Sequence, residues 1–354
     1  MKSTTFFLLS VMTIVFNSCS KDNDTKVSSS YFPPKTGTEW ETKSVESLNW
    51  NQNAIPDLFD YLEEKNTKSF IILVDGKIVI EEYFNNHSAT TNWYWASAGK
   101  TLTSTVTGIA AQEGFLNLEE KVSTYLGTNW TSMPLAKENL ITNRHLLTMT
   151  SGIEDLDNAD CVTPECLTYK ADAGTRWAYH NVYVKLQDVI SAATNQPFED
   201  YFTEKLKSKI GMDGSWFTLD NNRIYRSTTR SMARFGLLIL NNGKWENEVI
   251  VNSDFVQSAT KTSQNVNKSY GYLWWINGES SYHLPQSQFE FQGSIIPSGP
   301  ADMFMALGKN DQKIYVIPSK KMVVIRMGNA ADEANAALSD FDDVLWQKIN
   351  AVTN

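Results

Sequence analysis

The sequence predicts an α+β fold, in which helices flank one antiparallel sheet and a mostly helical lobe is inserted into it. Three observations predict this class. A hairpin pattern lies within residues 69–84, strand patterns return between residues 270 and 327, and residues 116–265 between them read as helices and loops. We therefore expect a sheet lobe of about residues 46–115 and 266–354, with residues 116–265 forming the helical lobe.

The first strands of the sheet follow a short helix predicted over residues 54–65. The apolar run 69–74 is joined to the alternating run 77–84 by Asp75-Gly76. Asp-Gly is a favoured two-residue hairpin turn, because its backbone accepts the positive φ angles that such turns require. These residues predict the N-terminal hairpin of the sheet.

The next element is a helix that begins near Ser97. Apolar residues recur at helical spacing from 102 to 110, and Gly114 follows where a helix would stop. Ser97 would then lie at the N-terminus, where free backbone N–H groups stabilise negative charge, with Lys100 one turn later on the same face. A neutral buried lysine can take the proton of a serine hydroxyl and make it a nucleophile.

The Ser-x-x-Lys spacing also occurs at Ser18–Lys21 and Ser258–Lys261, so the spacing alone is weak evidence. Only Ser97 has an aromatic lead-in, residues 93–95, and an amphipathic helix behind it. The alternative for Ser97 and Lys100 is a helix cap followed by a solvated lysine.

Further elements complete the predicted fold. Helical patterns cover residues 144–149, 182–194 and 231–240, and a last helix is expected near 334–351. Strands are expected at 270–276, 303–307, 312–317 and 322–327. Strands at both ends of the chain imply a single sheet built from N- and C-terminal segments.

A second candidate chemical motif lies at residues 174–181. A tyrosine held between cations can lose its proton and act as a general base, which makes Tyr179 a candidate. Asn181, two residues on, could hold a substrate amide. The alternative for Tyr179 is a half-buried side chain whose hydroxyl caps a local group.

The N-terminus has the pattern of an export signal. Residues 1–18 contain Lys2 and then an apolar run that is too short to span a membrane, and Cys19 follows in a sequence that resembles a lipoprotein cleavage site. Residues 19–45 are polar and predict a tether. We expect an exported bacterial lipoprotein, anchored through Cys19 on the periplasmic or cell-surface face of the outer membrane; the alternative is plain secretion with a chance cysteine.

Composition narrows the possible partners. The net charge of −9 and the lack of a Lys/Arg cluster argue against a nucleic-acid partner. The four histidines are scattered without metal-ligand spacing, so we expect no metal site and no cofactor. In an exported protein, Cys161 and Cys166 are expected to form a disulfide that closes a small loop, the alternative being two free thiols.

Five motifs, in this order, resemble those of the serine β-lactamase and penicillin-binding-protein superfamily. They are Ser97-Ala98-Gly99-Lys100, Leu147-Thr148-Met149-Thr150-Ser151-Gly152, Trp177-Ala178-Tyr179-His180-Asn181, Met232-Ala233-Arg234-Phe235-Gly236 and Tyr270-Gly271-Tyr272-Leu273-Trp274-Trp275. The resemblance covers about residues 46–350 and is greatest to the class C β-lactamase and esterase branch, particularly to aminohexanoate-dimer hydrolases. It implies a β-lactamase/transpeptidase-like fold.

The resemblance also implies roles for individual residues. Ser97 would be the nucleophile, Lys100 its activator and Tyr179 the base that later protonates the leaving group; Asn181 matches a family position whose polar partner varies. The oxyanion hole would use the backbone N–H groups of Ser97 and Lys309. Lys309 follows Ala306-Leu307-Gly308, which stands where the family has Lys-Thr-Gly, so only Gly308 of that motif is kept.

The expected function is an exported serine hydrolase that cleaves an ester or amide of a small molecule or peptide through an acyl-enzyme. One alternative is a D-alanyl-D-alanine carboxypeptidase or β-lactamase. Another is a non-catalytic cell-surface binding protein on the same scaffold, against which the intact Ser97, Lys100 and Tyr179 argue. Four tryptophans beside the motifs could wall an acyl pocket or belong to the core: Trp95, Trp177, Trp274 and Trp275.

Overall fold

A computed structural model of the chain describes residue 1 and residues 30–354, except 158, 220 and 333–337. Residues 2–18 of the predicted signal, together with Cys19, lie outside the described residues. None of the helices in the described part of the chain combines the length and the apolar character needed to cross a membrane.

Strands from both ends of the chain pair in one antiparallel sheet, as predicted. The strands are β1 (Thr67–Val74), β2 (Lys77–Tyr83), β3 (Trp93–Tyr94), β4 (Ser215–Leu219), β5 (Asn222–Ser227), β6 (Lys244–Trp245), β7 (Glu248–Val249), β8 (Trp275–Ile276), β9 (Ser281–Tyr282), β10 (Phe291–Gln292), β11 (Phe304–Gly308), β12 (Gln312–Ile317) and β13 (Met322–Gly328). Six of them form the main sheet, in the order β2-β1-β13-β12-β11-β8. The N-terminal β1 lies between β2 and the C-terminal β13.

Helices cover both faces of this sheet, which confirms the predicted α+β class. They are α1 (Ile55–Glu64), α2 (Lys100–Gln112), α3 (Val122–Leu126), α4 (Leu135–Glu138), α5 (Asn143–Leu147), α6 (Lys185–Thr194), α7 (Phe198–Phe202), α8 (Thr229–Leu240), α9 (Ser253–Ala259) and α10 (Asp340–Thr353). On α8, a Cβ added at Gly236 would lie 2.5 Å from Val323, so this helix packs closely on β13. Tyr315 of β12 points to the opposite face and contacts Trp346 of α10.

Strands β12 and β13 are buried along their whole length because helices cover both of their faces. The hairpin of β1 and β2 turns at Asp75 and Gly76, with φ angles of 52° and 82°, as the Asp-Gly signal predicts. These strands form the rigid core on which the candidate site is built.

The strand predicted over residues 270–276 is wrong for most of its length. Leu273 takes a positive φ of 64°, and the amide of Gly271 donates to the carbonyl of Trp274 at 2.8 Å. The chain therefore makes a tight turn here, and only β8 pairs with β11. The turn is possible because Gly271 has no Cβ, which would lie 2.0 Å from a backbone oxygen of Ala259.

Three further boundaries differ from the prediction. Strands β4 and β5 lie in the segment expected to be mostly helical, and they pair with β3 in a separate three-stranded sheet. The helix predicted at 182–194 opens with a 3-10 turn, Asn181–Val184, before α6. The last helix begins at Asp340 rather than near 334, and residues 334–337 of that prediction lie outside the described residues.

Candidate active site

Ser97 lies in a 3-10 turn, Ala96–Gly99, that leads directly into α2. Ala96 has a φ of 47°, a left-handed conformation that is unfavourable for a residue with a Cβ and is found mainly at functional sites. The turn is held from outside, since the amide of Trp95 donates to the carbonyl of Tyr225 at 2.8 Å. The backbone therefore presents Ser97 at the start of the helix, as the sequence predicts.

Helix α2 is buried from Lys100 to Ala110, although four of its residues are threonines. Thr105 and Thr107 each donate a side-chain hydrogen bond to the carbonyl four residues earlier, at 2.9 and 2.8 Å. Such bonds satisfy hydroxyls within the helix, so a threonine-rich helix can pass through the core. The helix thus gives Ser97 and Lys100 a fixed base.

The amine of Lys100 donates to the hydroxyl oxygen of Ser97 at 2.7 Å. The same nitrogen lies 4.9 Å from the ring centroid of Tyr179 and 4.6 Å from that of Tyr183. Burial lowers the pKa of Lys100 to about 7, and the charge of Asp160 only partly opposes that shift. The lowered pKa favours an uncharged amine, which can accept a proton, near neutral pH.

The Tyr179 hydroxyl forms a hydrogen bond with Ser97. Burial is the main cause that raises the pKa of Tyr179 to about 12, and the hydrogen bond from Ser97 only partly opposes it. Aromatic rings surround Tyr179: Trp177, Tyr270 and Trp275 lie within 6.3 Å, centroid to centroid, and these surroundings favour the protonated hydroxyl. That Tyr179 acts as a base stays a prediction. Tyr179 is positioned to donate a proton rather than to hold a negative charge.

The four tryptophans near the motifs belong to the core. Each is at most 2% exposed, and none lines the cavity beside Ser97: Trp95, Trp177, Trp274 and Trp275. Trp177 and Trp275 pack around Tyr179 and fix its ring. Their contribution to the site is therefore the orientation of a side chain, not a wall for a ligand.

Strand β11 brings Gly308 against the turn that carries Ser97. A Cβ at Gly308 would lie 2.4 Å from the carbonyl oxygen of Trp95 and 3.0 Å from the amide nitrogen of Ala98. Only glycine allows the two backbones to approach so closely, which explains why Gly308 is kept where the preceding Lys-Thr pair is not. Lys309, the next residue, lines the cavity with an exposed side chain.

Asn181 also lines the cavity, but its side chain is engaged by neighbouring segments. Its amide nitrogen contacts the carboxylate of Asp160 at 3.2 Å and the side-chain oxygen of Asn222. Its backbone N–H donates to the carbonyl of Ala159 at 2.8 Å. Asp160 precedes the Cys161–Cys166 disulfide, which is present as expected.

The cavity has a volume of about 580 Å³ and contains the predicted residues Ser97, Lys100, Tyr179, Asn181 and Lys309. Gly308 lies behind it rather than in its wall. Other lining residues were missed in the sequence: Ala96, Leu156, Asp157, Ala159, Asp160, His180, Tyr183, Leu219, Asn222, Arg223, Ile224, Pro285 and Gln286. Tyr183 lies in the 3-10 turn Asn181–Val184 that directly follows the Tyr179 motif.

This fold, with a helix-start serine bonded to a buried lysine and a tyrosine, supports a serine hydrolase. The chain belongs to the Beta-lactamase family, whose model matches residues 59–345. The resemblance inferred from the motifs is thereby confirmed, as is the β-lactamase/transpeptidase-like fold.

Solved structures with the same fold include several named hydrolases. A protein described as a 6-aminohexanoate-dimer hydrolase, from Bacillus anthracis, is 19% identical with a TM-score of 0.67. The match covers 92% of this chain and 91% of the Bacillus protein. A protein described as a β-lactamase, from Bacteroides dorei, is 16% identical with a TM-score of 0.66. The match covers 86% of this chain and 99% of the Bacteroides protein. A class C β-lactamase mutant is 16% identical with a TM-score of 0.61, and the match covers 84% of this chain and 96% of the mutant.

A relative is also found by sequence alone. An uncharacterized protein of Alkalihalophilus pseudofirmus is 24% identical over 303 residues, which cover 74% of this chain and 83% of that protein. The structural neighbours named above are below 25% identity, so they show the fold and leave the substrate open.

Proposed function

We propose that the protein hydrolyses an ester or amide through an acyl-enzyme formed on Ser97. The observation that carries this proposal is the 2.7 Å contact between the Ser97 hydroxyl and the amine of Lys100, whose pKa is lowered to about 7. A base with a pKa near the working pH is the most effective at removing a proton in a transition state. Lys100, rather than Tyr179, is therefore the base of the first step.

The proposed reaction has two halves. In the first, Ser97 Oγ attacks the carbonyl carbon of the substrate while its proton passes to Lys100 Nζ. The tetrahedral intermediate then breaks the bond to the leaving group, which takes the hydroxyl proton of Tyr179, and Lys100 returns a proton to Tyr179. In the second half, water attacks the acyl-enzyme, the same groups carry its proton to Ser97 Oγ, and the acid is released.

The negative oxygen of the intermediate requires hydrogen-bond donors. We assign them to the backbone N–H groups of Ser97 and Lys309, because the close approach at Gly308 brings the end of β11 against the turn that carries Ser97. The start of α2 adds the positive end of a helix dipole. Both donors belong to backbone, so the assignment is independent of the loss of the Lys-Thr side chains.

A D-alanyl-D-alanine carboxypeptidase or β-lactamase is the second candidate. One observation favours it: the exposed side chain of Lys309 lines the cavity and could bind the carboxylate of such substrates. Against it, Ala306 and Leu307 are buried and offer neither a cation nor a hydroxyl. We therefore place simple esters and amides first.

Labelling with a fluorophosphonate probe tests the proposed nucleophile. The wild-type protein should be labelled and Ser97→Ala should not. Ser104→Ala is the matched control, because Ser104 lies in the same helix and its buried hydroxyl has no hydrogen-bond partner among the described residues. Equal labelling of wild type and Ser97→Ala would reject the assignment.

We also propose that the protein is an exported lipoprotein, anchored through Cys19. The support is in the sequence: an apolar run of signal-peptide length, then Cys19, then a polar tether. Intact-mass analysis of the membrane fraction tests it. A Cys19→Ala protein that still fractionates with membranes would count against the anchor.

A further inference from the structure

Residues 309–311 form the turn between β11 and β12, and we call it the 309–311 turn. Asn310 and Asp311 both take left-handed backbone conformations, with φ angles of 60° and 58°. Residues with a Cβ seldom adopt such angles unless their surroundings hold them there. Three of the side chains that hold this turn connect it to β13, β12 and the segment that carries Ser97.

The first side chain is Arg326 of β13, which is fully buried. Its five N–H groups reach five uncharged oxygens, at 2.7–3.1 Å: the side-chain hydroxyl of Thr67 and the carbonyls of Lys65, Asn310, Asp311 and Asn329. Burying a guanidinium group is costly unless every donor is satisfied. Here two of the five acceptors are carbonyls of the 309–311 turn, so the buried group fixes the turn from behind.

The second side chain is Gln312, the first residue of β12, which is also fully buried. Its amide nitrogen donates to the carbonyl of Asn310 at 2.8 Å and to that of Gly328 at 2.6 Å. Its side-chain oxygen accepts from the amide of Gly328 at 3.2 Å. Gln312 thereby ties the turn to the end of the neighbouring strand.

The third contact connects the turn to the segment that carries the nucleophile. The side-chain amide of Asn310 donates to the hydroxyl of Tyr94 at 2.6 Å. Tyr94 ends β3 and is followed by Trp95, whose carbonyl lies against Gly308. The two backbone segments proposed to stabilise the oxyanion are therefore held together at Gly308 and again at Asn310.

We propose that Arg326 and Gln312 are positioning residues, which set the distance between the Lys309 and Ser97 backbone N–H groups through the 309–311 turn. Neither side chain lines the cavity, so neither touches the substrate. The inference rests on the proposed function, since it assigns these residues to the oxyanion hole of that reaction. Oxyanion donors act only when they are preorganised, and losing one costs about 10²–10³-fold in kcat.

The test compares Gln312→Met with Ile317→Val as a matched control. Ile317 is also a fully buried residue of β12, but it lies at the end of the strand remote from the 309–311 turn, where it pairs with Met322. The readouts are kcat and KM for a p-nitrophenyl ester, and the affinity for phenylboronic acid, whose tetrahedral serine adduct places an oxygen in the oxyanion hole. Melting temperatures are measured for all variants.

Gln312→Met should lower kcat at least about tenfold, leave KM within about twofold, and weaken phenylboronic acid binding by the same factor as kcat. Ile317→Val should change neither kcat nor the affinity for phenylboronic acid, even if its melting temperature falls. Tyr94→Phe, which removes only a half-buried hydroxyl, should give a smaller loss in the same direction and remains available if Gln312→Met does not fold.

Two outcomes would overturn the proposal. One is a folded Gln312→Met, or in its place Tyr94→Phe, with kcat and phenylboronic acid affinity at the wild-type level. The other is an equal loss in Ile317→Val, which would show an effect of general destabilisation. Failure of the proposed function is distinguishable, because the wild-type protein would then lack fluorophosphonate labelling at Ser97.

Discussion

Lys100 Nζ lies 2.7 Å from Ser97 Oγ, in a pocket whose other nearest groups include the rings of Tyr179 and Tyr183. The rings attract a cation only weakly compared with a carboxylate at the same distance. Burial therefore dominates, and the amine gives up its proton near neutral pH. This relationship makes both the activity and the stability of the protein depend on the protonation of Lys100.

The first prediction concerns the pH dependence of the reaction. If neutral Lys100 is the base, kcat/KM for a p-nitrophenyl ester should rise with pH and reach a plateau above about 7, where the lowered pKa of Lys100 lies. Tyr179 should add no second transition between pH 5 and 9, because burial raises its pKa to about 12. Initial rates over that range measure the profile. A rate that keeps rising tenfold per pH unit to pH 9 would contradict it.

The second prediction concerns stability. Lys100 has a pKa of about 7 in the folded protein and about 10.5 when unfolded, so the unfolded chain binds its proton more tightly. The resulting destabilisation is complete below pH 7 and fades as the pH rises towards 10.5. Lys100→Met should therefore be inactive but more stable than wild type at pH 7, and its advantage should shrink by up to about 1.4 kcal/mol per pH unit above that.

Denaturant unfolding of both proteins at pH 7, 8 and 9 gives this difference. Lys121→Met, at an exposed lysine, is the control for the loss of a lysine side chain. A stability difference between wild type and Lys100→Met that is constant over these pH values would reject the prediction.

The third prediction concerns Tyr179. Replacing it with phenylalanine keeps the ring packed between Trp177 and Trp275 but removes the hydroxyl bonded to Ser97. Tyr179→Phe should lower kcat at least about a hundredfold, the usual scale for a positioned proton donor. Its effect should be far from additive with Lys100→Met, since the two groups pass the same proton.

Tyr270→Phe is the control for that experiment. Tyr270 packs edge-on against Tyr179, and its buried hydroxyl has no hydrogen-bond partner within the part of the chain that the structure describes. Its rate should stay near that of wild type. Near-full turnover in Tyr179→Phe would make Tyr179 a structural residue.

The fourth prediction concerns substrate class. A β-lactam carboxylate needs a cation and a hydroxyl, each charged hydrogen bond being worth roughly 1.5–3 kcal/mol. Ala306 and Leu307 provide neither, so cephalosporin turnover should be at least about a hundredfold below that of short p-nitrophenyl esters in kcat/KM. A chromogenic cephalosporin and p-nitrophenyl acetate measure the ratio. A higher value for the cephalosporin would indicate that Lys309 binds the carboxylate.

Features that depend on neighbours in sequence were predictable. Lys100 reaches Ser97 because residues three apart in a helical turn lie side by side, and the Asp75-Gly76 hairpin follows from two adjacent φ angles. The large sheet could be inferred as well, because strands buried on both faces leave long apolar runs such as those of β12 and β13.

Features that depend on tertiary contacts were not predictable. The conformation of the 309–311 turn, which carries Lys309, is held by contacts from Arg326 and Gln312. The turn at residues 270–276 follows from the close approach of Ala259 to Gly271, which no local pattern reveals. The burial of Tyr179 among rings distant in sequence, which raises its pKa, is not visible in its motif.

The pairing of β1 with β13 has a consequence for how the protein reaches its active form. Thr67 and Arg326, which are hydrogen-bonded across this pair, are 259 positions apart in the sequence. Contacts between such distant residues must wait for the closure of a very long loop, which makes folding slow. In the main sheet, β11 is joined to β1 only through β12 and β13. A chain that ends before β13 therefore lacks the strand that connects the N-terminal strands to the strand leading to Lys309.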